Sequence, residues 1–191
     1  MSAIFGIINF DGRPVEETDL ELMADTLVHR GPDTSDIWIK GAIGLGSRIF
    51  HSTLESFSEV LPYSDSETGL VIVADARIDN RSELGGSLGL IKQVKSGIPD
   101  SLLILNAYKK WADDCVDYLI GDFAFAIWDD HRKRLFCARD HMGIRPFIHY
   151  VSQDEFVFAS EDKAVRKAPR VPTNINEERI FGESSATNRQ E

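Results

Sequence analysis

The sequence predicts a layered α+β fold, with antiparallel sheets at the centre and helices on their outer faces. Three observations carry this. Apolar, β-prone segments outnumber helical ones, clear helical periodicity is confined to two stretches, and the chain's second half ends in strands joined by hairpin-length polar links. A chain of 191 residues, 42% of them hydrophobic, suits one domain. Folding at this size buries roughly 70% of the surface the unfolded chain exposes.

Each element has a local reason. Residues 2–10 are apolar and β-prone and end at the turn pair Asp11-Gly12, so the first strand begins almost at the first residue. Thr18-x-x-Glu21 reads as a capping box for a helix carrying Leu20, Met23, Ala24 and Leu27 on one face, which stops before Gly31-Pro32. Residues 37–40 and 42–50 read as strands and 52–66 as a polar loop. The near-continuous apolar run over 70–78 reads as a buried strand. Asn80-x-x-Glu83 is a cap signal for a short helix ending at Gly85-Gly86. A second long helix starts at Asp100, with Ile104, Tyr108, Trp111 and Cys115 on one face. From residue 123 to 128 both faces of a strand are apolar, and 135–139, 147–151 and 156–160 are further strands. Beyond 165 the pattern fades, which sets a domain over 2–165 and a polar tail or linker start over 166–191.

Composition narrows the function. With 21 Lys+Arg against 31 Asp+Glu the formal charge is −10, which repels phosphate backbones and anionic lipid, so neither nucleic acid nor membrane is an expected partner. No apolar run approaches the ~20 residues of a membrane helix, and no basic region leads into an apolar one as in a signal peptide. The two cysteines, Cys115 and Cys137, lack metal-like spacing, and a reducing cytoplasm fits them. The five histidines form no HxxxH or HxH pair, so no metal is expected. Gly41-x-x-Gly44-x-Gly46 lacks dinucleotide spacing and reads as a strand packed close against its neighbours. One chemical possibility rests on position. If Met1 is removed, Ser2 becomes a hydroxyl nucleophile whose own α-amine, with an unperturbed pKa of ~7.7–8.0, can take its proton.

Several segments read together carry more. Ser2-Ala3-Ile4-Phe5-Gly6, His29-Arg30-Gly31-Pro32-Asp33, Gly121-Asp122-Phe123-Ala124-Phe125-Ala126, Arg139-Asp140-x-x-Gly143-x-x-Pro146 and Ala159-Ser160-Glu161-x-Lys163-Ala164 occur in that order. Over residues 2–165 the chain resembles the glutamine-hydrolysing domain of the asparagine synthetase family, a class II glutamine amidotransferase. The resemblance implies the N-terminal-nucleophile (Ntn) hydrolase fold, a four-layer αββα sandwich of two antiparallel sheets.

Carried over by position, the resemblance implies both matches and departures. The nucleophile position, cysteine in active members, is Ser2. The Asn-Gly pair that forms the oxyanion hole aligns with Asp75-Ala76, and the glutamate after it with Arg77. An ionised carboxylate only accepts hydrogen bonds and repels a developing oxyanion, unless Arg77 pairs with it. Arg48 matches the arginine that clamps the glutamine α-carboxylate, and Asp100 the aspartate that holds its α-ammonium. The plainer readings are a strand-end ion pair for Arg48 and a helix cap for Asp100. The resemblance implies no cofactor in this domain, with ATP and magnesium belonging to a partner synthetase domain whose Ser-Gly-Gly-x-Asp-Ser loop is absent here. It further implies a scaffold beside that ligase, as in lasso-peptide cyclases and β-lactam synthetases, which use an internal amine, with 139–147 as a docking contact. The alternatives are an active Ser2 glutaminase supplying ammonia for asparagine synthesis, and a non-catalytic amino-acid-binding module.

Overall fold

The computed structural model describes residues 1–173. Its centre is two stacked antiparallel sheets. The first has strand order β2-β3-β1-β9-β8, built from β1 (Ala3–Asn9), β2 (Thr34–Lys40), β3 (Ile43–Ile49), β8 (Ile148–Val151) and β9 (Glu155–Ala159). The second runs β4-β5-β6-β7, from β4 (Tyr63–Asp65), β5 (Leu70–Ile78), β6 (Gly121–Asp129) and β7 (Arg134–Arg139).

Strand alternation sorts the side chains into three apolar layers. On β1, Ile4 and Ile8 face the second sheet, while Ala3, Phe5 and Ile7 face α1 (Glu17–Asp25) and α5 (Asp162–Val165). On β5, Val71 and Val73 face the first sheet, while Leu70, Ile72, Ala74 and Ile78 face outward. That outer face of the second sheet is covered by α2 (Arg81–Leu88), α3 (Ile91–Lys95) and α4 (Asp100–Trp111), with Leu84, Leu103, Ile104 and Tyr108 buried against it. On β6 the phenylalanines point to the helices, and the small Ala124 and Ala126 point inward, where the sheets approach. The result is four layers, helix–sheet–sheet–helix, as the sequence and the resemblance led us to expect.

Gly44 and Gly46 show why the glycine-rich stretch is there. A Cβ on Gly44 would strike Leu20 of α1, and one on Gly46 would strike the Phe5 ring. Both glycines let the sheet and its neighbours close up.

Several boundaries differ from expectation. α1 starts at Glu17, so Thr18 lies inside the first turn and no side chain caps the helix. Asn80 precedes α2, but its amide bonds the Tyr118 carbonyl and the Ile120 N–H, tying α2 to the segment before β6. α2 runs through Gly85-Gly86 and ends at Gly89, whose φ of 74° suits glycine. The 52–66 loop contains a 3₁₀ turn, Glu55–Ser58, and the short strand β4. α4 ends at Trp111, and Cys115 lies in a following 3₁₀ stretch, Ala112–Tyr118. Packing runs past the expected boundary at 165: Ala168 is buried in the cluster around α1, and Val171 packs against it. The rest of the expected tail, 174–191, lies outside the described residues. No helix among the described residues is long and apolar enough to cross a membrane.

Candidate active site

The start of the chain is held from three directions. The Ile4 N–H donates to Ser160 Oγ at 2.9 Å, which fixes the start of β1. Ser2 lies just beyond that anchor. Its carbonyl accepts from Arg30 Nε at 3.1 Å, its Oγ accepts from the Phe50 N–H at 3.1 Å, and it shares a cavity with the Asp75 carboxylate. This explains two of the ordered motifs. Arg30 is presented by the turn after α1, and Gly31 lies where any side chain would strike the Arg48 backbone. Glu161, just past β9, collects Arg30 (3.3 Å), His29 (2.9 Å) and Lys163 (2.9 Å). Burial opposes ionisation of Glu161, but these donors prevail and hold its carboxyl down at about 2.

Asp75 faces the first sheet because it shares the face of Val71 and Val73 on β5. Its side chain is only 5% exposed, with Arg145 Nη1 at 3.2 Å from one oxygen and Arg30 Nη2 at 3.5 Å from the other. Burial pushes its pKa up, and the Arg145 and Arg30 guanidiniums oppose that.

Arg145 is delivered by the crossover between β7 and β8. Asp140 is buried there, and its two oxygens accept from the Ile144 N–H (2.9 Å) and the Arg145 N–H (3.0 Å). Gly143 takes a φ of 65° to close the turn. This is the physical content of Arg-Asp-x-x-Gly-x-x-Pro: an aspartate that staples its own loop. Burial works against ionised Asp140, yet the donated backbone bonds leave its pKa lowered. Arg145 Nε is buried with no partner among the described residues.

Ser2, Asp75, Ala76, Arg145, Asp100 and Glu59 line one cavity of about 80 Å³. Larger cavities of about 740 and 790 Å³ open elsewhere, but neither contains any of these residues. In the same cavity, Glu59 accepts from the Ser101 hydroxyl at the start of α4, and burial pushes its carboxyl up to about 7. Asp100 is the first residue of α4 and pairs with Arg81. Burial raises its pKa, while Arg81 and the Ile78 N–H pull the other way. Among the described residues no group of three or more His, Cys, Asp or Glu side chains is arranged to hold a metal.

A family model described as "Glutamine amidotransferase domain" matches residues 1–187. The chain belongs to this family. Among similar curated proteins are the asparagine synthetase [glutamine-hydrolyzing] 3 of Bacillus subtilis, 31% identical over 95% of this chain, and a putative asparagine synthetase 2 of Methanocaldococcus jannaschii, 32% identical over 94%. The chain spans only 30% and 38% of those two proteins' lengths. Among solved structures, a glutamine phosphoribosylpyrophosphate amidotransferase from B. subtilis superposes with a TM-score of 0.66 at 19% identity, covering 87% of this chain and 43% of that one. A second structure, an allosteric regulatory enzyme of purine biosynthesis, gives 0.67 at 18%. These two establish the Ntn-type amidotransferase fold.

Within this amidotransferase domain the sequence-derived site residues divide. Ser2, Asp75, Ala76, Arg77 and Asp100 meet at the cavity. Arg48 does not. Its side chain leaves β3 on the opposite face, where Nε donates to the Ala24 carbonyl at 2.7 Å and Nη2 approaches Asp25 at 3.7 Å. The strand-end reading therefore describes Arg48, and the clamp expectation is corrected. Arg77 does not neutralise Asp75 either. It is exposed and pairs with Asp79 at 3.1 Å, because the strand end carries its guanidinium out to solvent. Asp100 is not the capping residue of α4, since Pro99 occupies that place and makes no side-chain cap. The residues missed were Arg30, Arg145 and Glu59. The first two sat inside the quoted motifs without an assigned role; Glu59, in an aperiodic loop, gave no signal.

Proposed function

We propose that this amidotransferase domain is the non-hydrolysing partner of an ATP-dependent, amide-forming ligase domain or chain of the asparagine synthetase type. Formation of an internal amide, as in a lasso-peptide macrolactam, is the kind of reaction it would accompany. One observation carries the loss of hydrolysis: the Asp75 carboxylate is turned inward, into the cavity it shares with Ser2, where the resemblance implies a donor for the oxyanion. Losing one such donor costs ~2.7–4 kcal/mol of transition-state stabilisation, and an anion in its place costs more. The hydroxyl of Ser2, rarely ionised near neutral pH, adds to the deficit. ATP and magnesium belong to the partner in this reading. That the chain spans only about a third of two such relatives supports a partner.

A second reading, slow glutamine hydrolysis by Ser2 to supply ammonia, is favoured by Ser2 and Asp100 sharing one cavity. Simple amino-acid binding loses its carboxylate clamp with Arg48 outside. Ammonia release from glutamine by the purified chain separates the first two. We expect a rate equal to buffer; turnover that disappears in Ser2→Ala overturns the proposal in favour of the second reading.

A further inference from the structure

We propose that Asp75 is a positioning residue for the protein's own N terminus: in the form that has lost Met1, its carboxylate accepts from the Ser2 α-nitrogen and fixes that amine between Arg30 and Arg145. This goes beyond the loss of hydrolysis and holds whether or not glutamine is turned over.

The geometry is already in place. Arg30 reaches both the Ser2 carbonyl and the Asp75 carboxylate, Ser2 and Asp75 line one cavity, and removing Met1 leaves the Ser2 nitrogen where it is, because Ser2 is held at its carbonyl by Arg30 and at Oγ by the Phe50 N–H. The charge around it is unusual. One buried carboxylate faces two buried guanidiniums, so a further positive charge on the amine is poorly compensated. The other ionisable groups do not restore the balance. Glu161 backs Arg30 from its far side, Arg77 is engaged with Asp79, Asp100 with Arg81, and Glu59 with Ser101; Glu55 lines the far part of the cavity. The same field acts on the present terminus. The Met1 amine is pushed below its ordinary value by burial first; Asp75 opposes, and Arg145 and Arg30 reinforce.

Asp75 therefore has two opposite effects on the family's chemistry. It occupies the place of the oxyanion donor, and it holds the terminal amine in position while burial and the Arg145 and Arg30 guanidiniums favour the uncharged, proton-accepting form. The base is kept while the hole is filled.

The test uses the full chain beginning at Ser2, released from an N-terminal fusion by a protease that leaves no extra residue and verified by intact mass. The rate of Ser2 acylation by an amine-selective reagent is followed against pH by peptide mass spectrometry. The expected midpoint lies below the ~7.7–8.0 of an ordinary α-amine. Arg145→Gln raises it, and Asp75→Asn, which leaves the two guanidiniums uncompensated, lowers it further. A role confined to stability moves neither midpoint. An ordinary midpoint, or one that both variants leave unmoved, overturns the proposal. If Asp75→Asn does not fold, Arg145→Gln decides alone: an unshifted midpoint refutes it. Ammonia release is not read at any stage, so this proposal fails independently of the functional one.

Discussion

Arg145 reaches Asp75 at 3.2 Å from the segment that crosses between the two sheets, with its own Nε buried and without a partner among the described residues. A buried carboxylate gripped on both sides, by Arg145 and by Arg30, has little freedom to swing away from the cavity. In the proposed reading, that rigidity keeps the Asp75 carboxylate in the place of the oxyanion donor. On the same reading, changing the nucleophile alone is not expected to restore hydrolysis.

The first expected outcome concerns that point. Ser2→Cys supplies a better nucleophile but leaves the negative charge in place. Combined with Asp75→Asn and Ala76→Gly it regains an amide donor, worth about 10²–10³ in kcat in other acyl-transfer sites. Glutamine-dependent ammonia release is expected from the triple variant well above that of Ser2→Cys. Equal rates would show that the hole was never the obstacle.

The second concerns stability. Arg30→Met removes one partner each from Asp75, Glu161 and the Ser2 carbonyl. Removing one side of a buried ion pair costs about 3–5 kcal/mol, because the partner's charge stays buried. A urea midpoint within error of the parent chain would mean that Arg145 alone satisfies Asp75.

How much of this was legible follows from what each residue answers to. β5 and β6 were readable because their burial is repeated along the strand, so their runs of apolar residues have one explanation. Ser2 and Asp100 were found by position in the resemblance, and the cavity gathers both. Arg48 was misplaced because a resemblance names a position on a strand but not the face its side chain takes; Ala3 opposite and α1 above turn it outward. Arg145 was hidden for another reason. Its place depends on Asp140 bonding two backbone amides within the loop, a local closure with no periodic signature. Thr18 failed as a cap because α1 begins two residues earlier than that cap requires, with Glu16 in the cap position and Glu17 and Asp19 in its first turn.

The third expected outcome tests that closure. Asp140→Ala leaves the Ile144 and Arg145 amides without acceptors in a partly buried loop, at a cost of about 1–3 kcal/mol. The effect is local, so amide hydrogen exchange should accelerate at residues 144 and 145 far more than in β6. Uniform acceleration along the chain would instead mark Asp140 as a general stability residue.

The fourth comes from Glu59, whose carboxyl is pushed up to about 7, chiefly by burial and further by Asp100, while the Ser101 hydroxyl pulls it down. Between the ordinary glutamate value of 4.5 and about 7, the folded protein holds a proton that the unfolded chain has released. The folded state binds more protons there, so stability falls as pH rises across that window and the Glu59 contribution levels off above it. The full drop attributable to this one carboxyl is at most roughly 3 kcal/mol. Glu59→Gln keeps an oxygen to accept from Ser101 but cannot ionise. Urea unfolding at pH 4.5, 6 and 8 should show the variant gaining on the parent as pH rises, with the two nearly equal at the acid end. Parallel curves would mean that Glu59 ionises in the fold as it does in water, and that the cavity it shares with Ser2 carries its full negative charge at neutral pH.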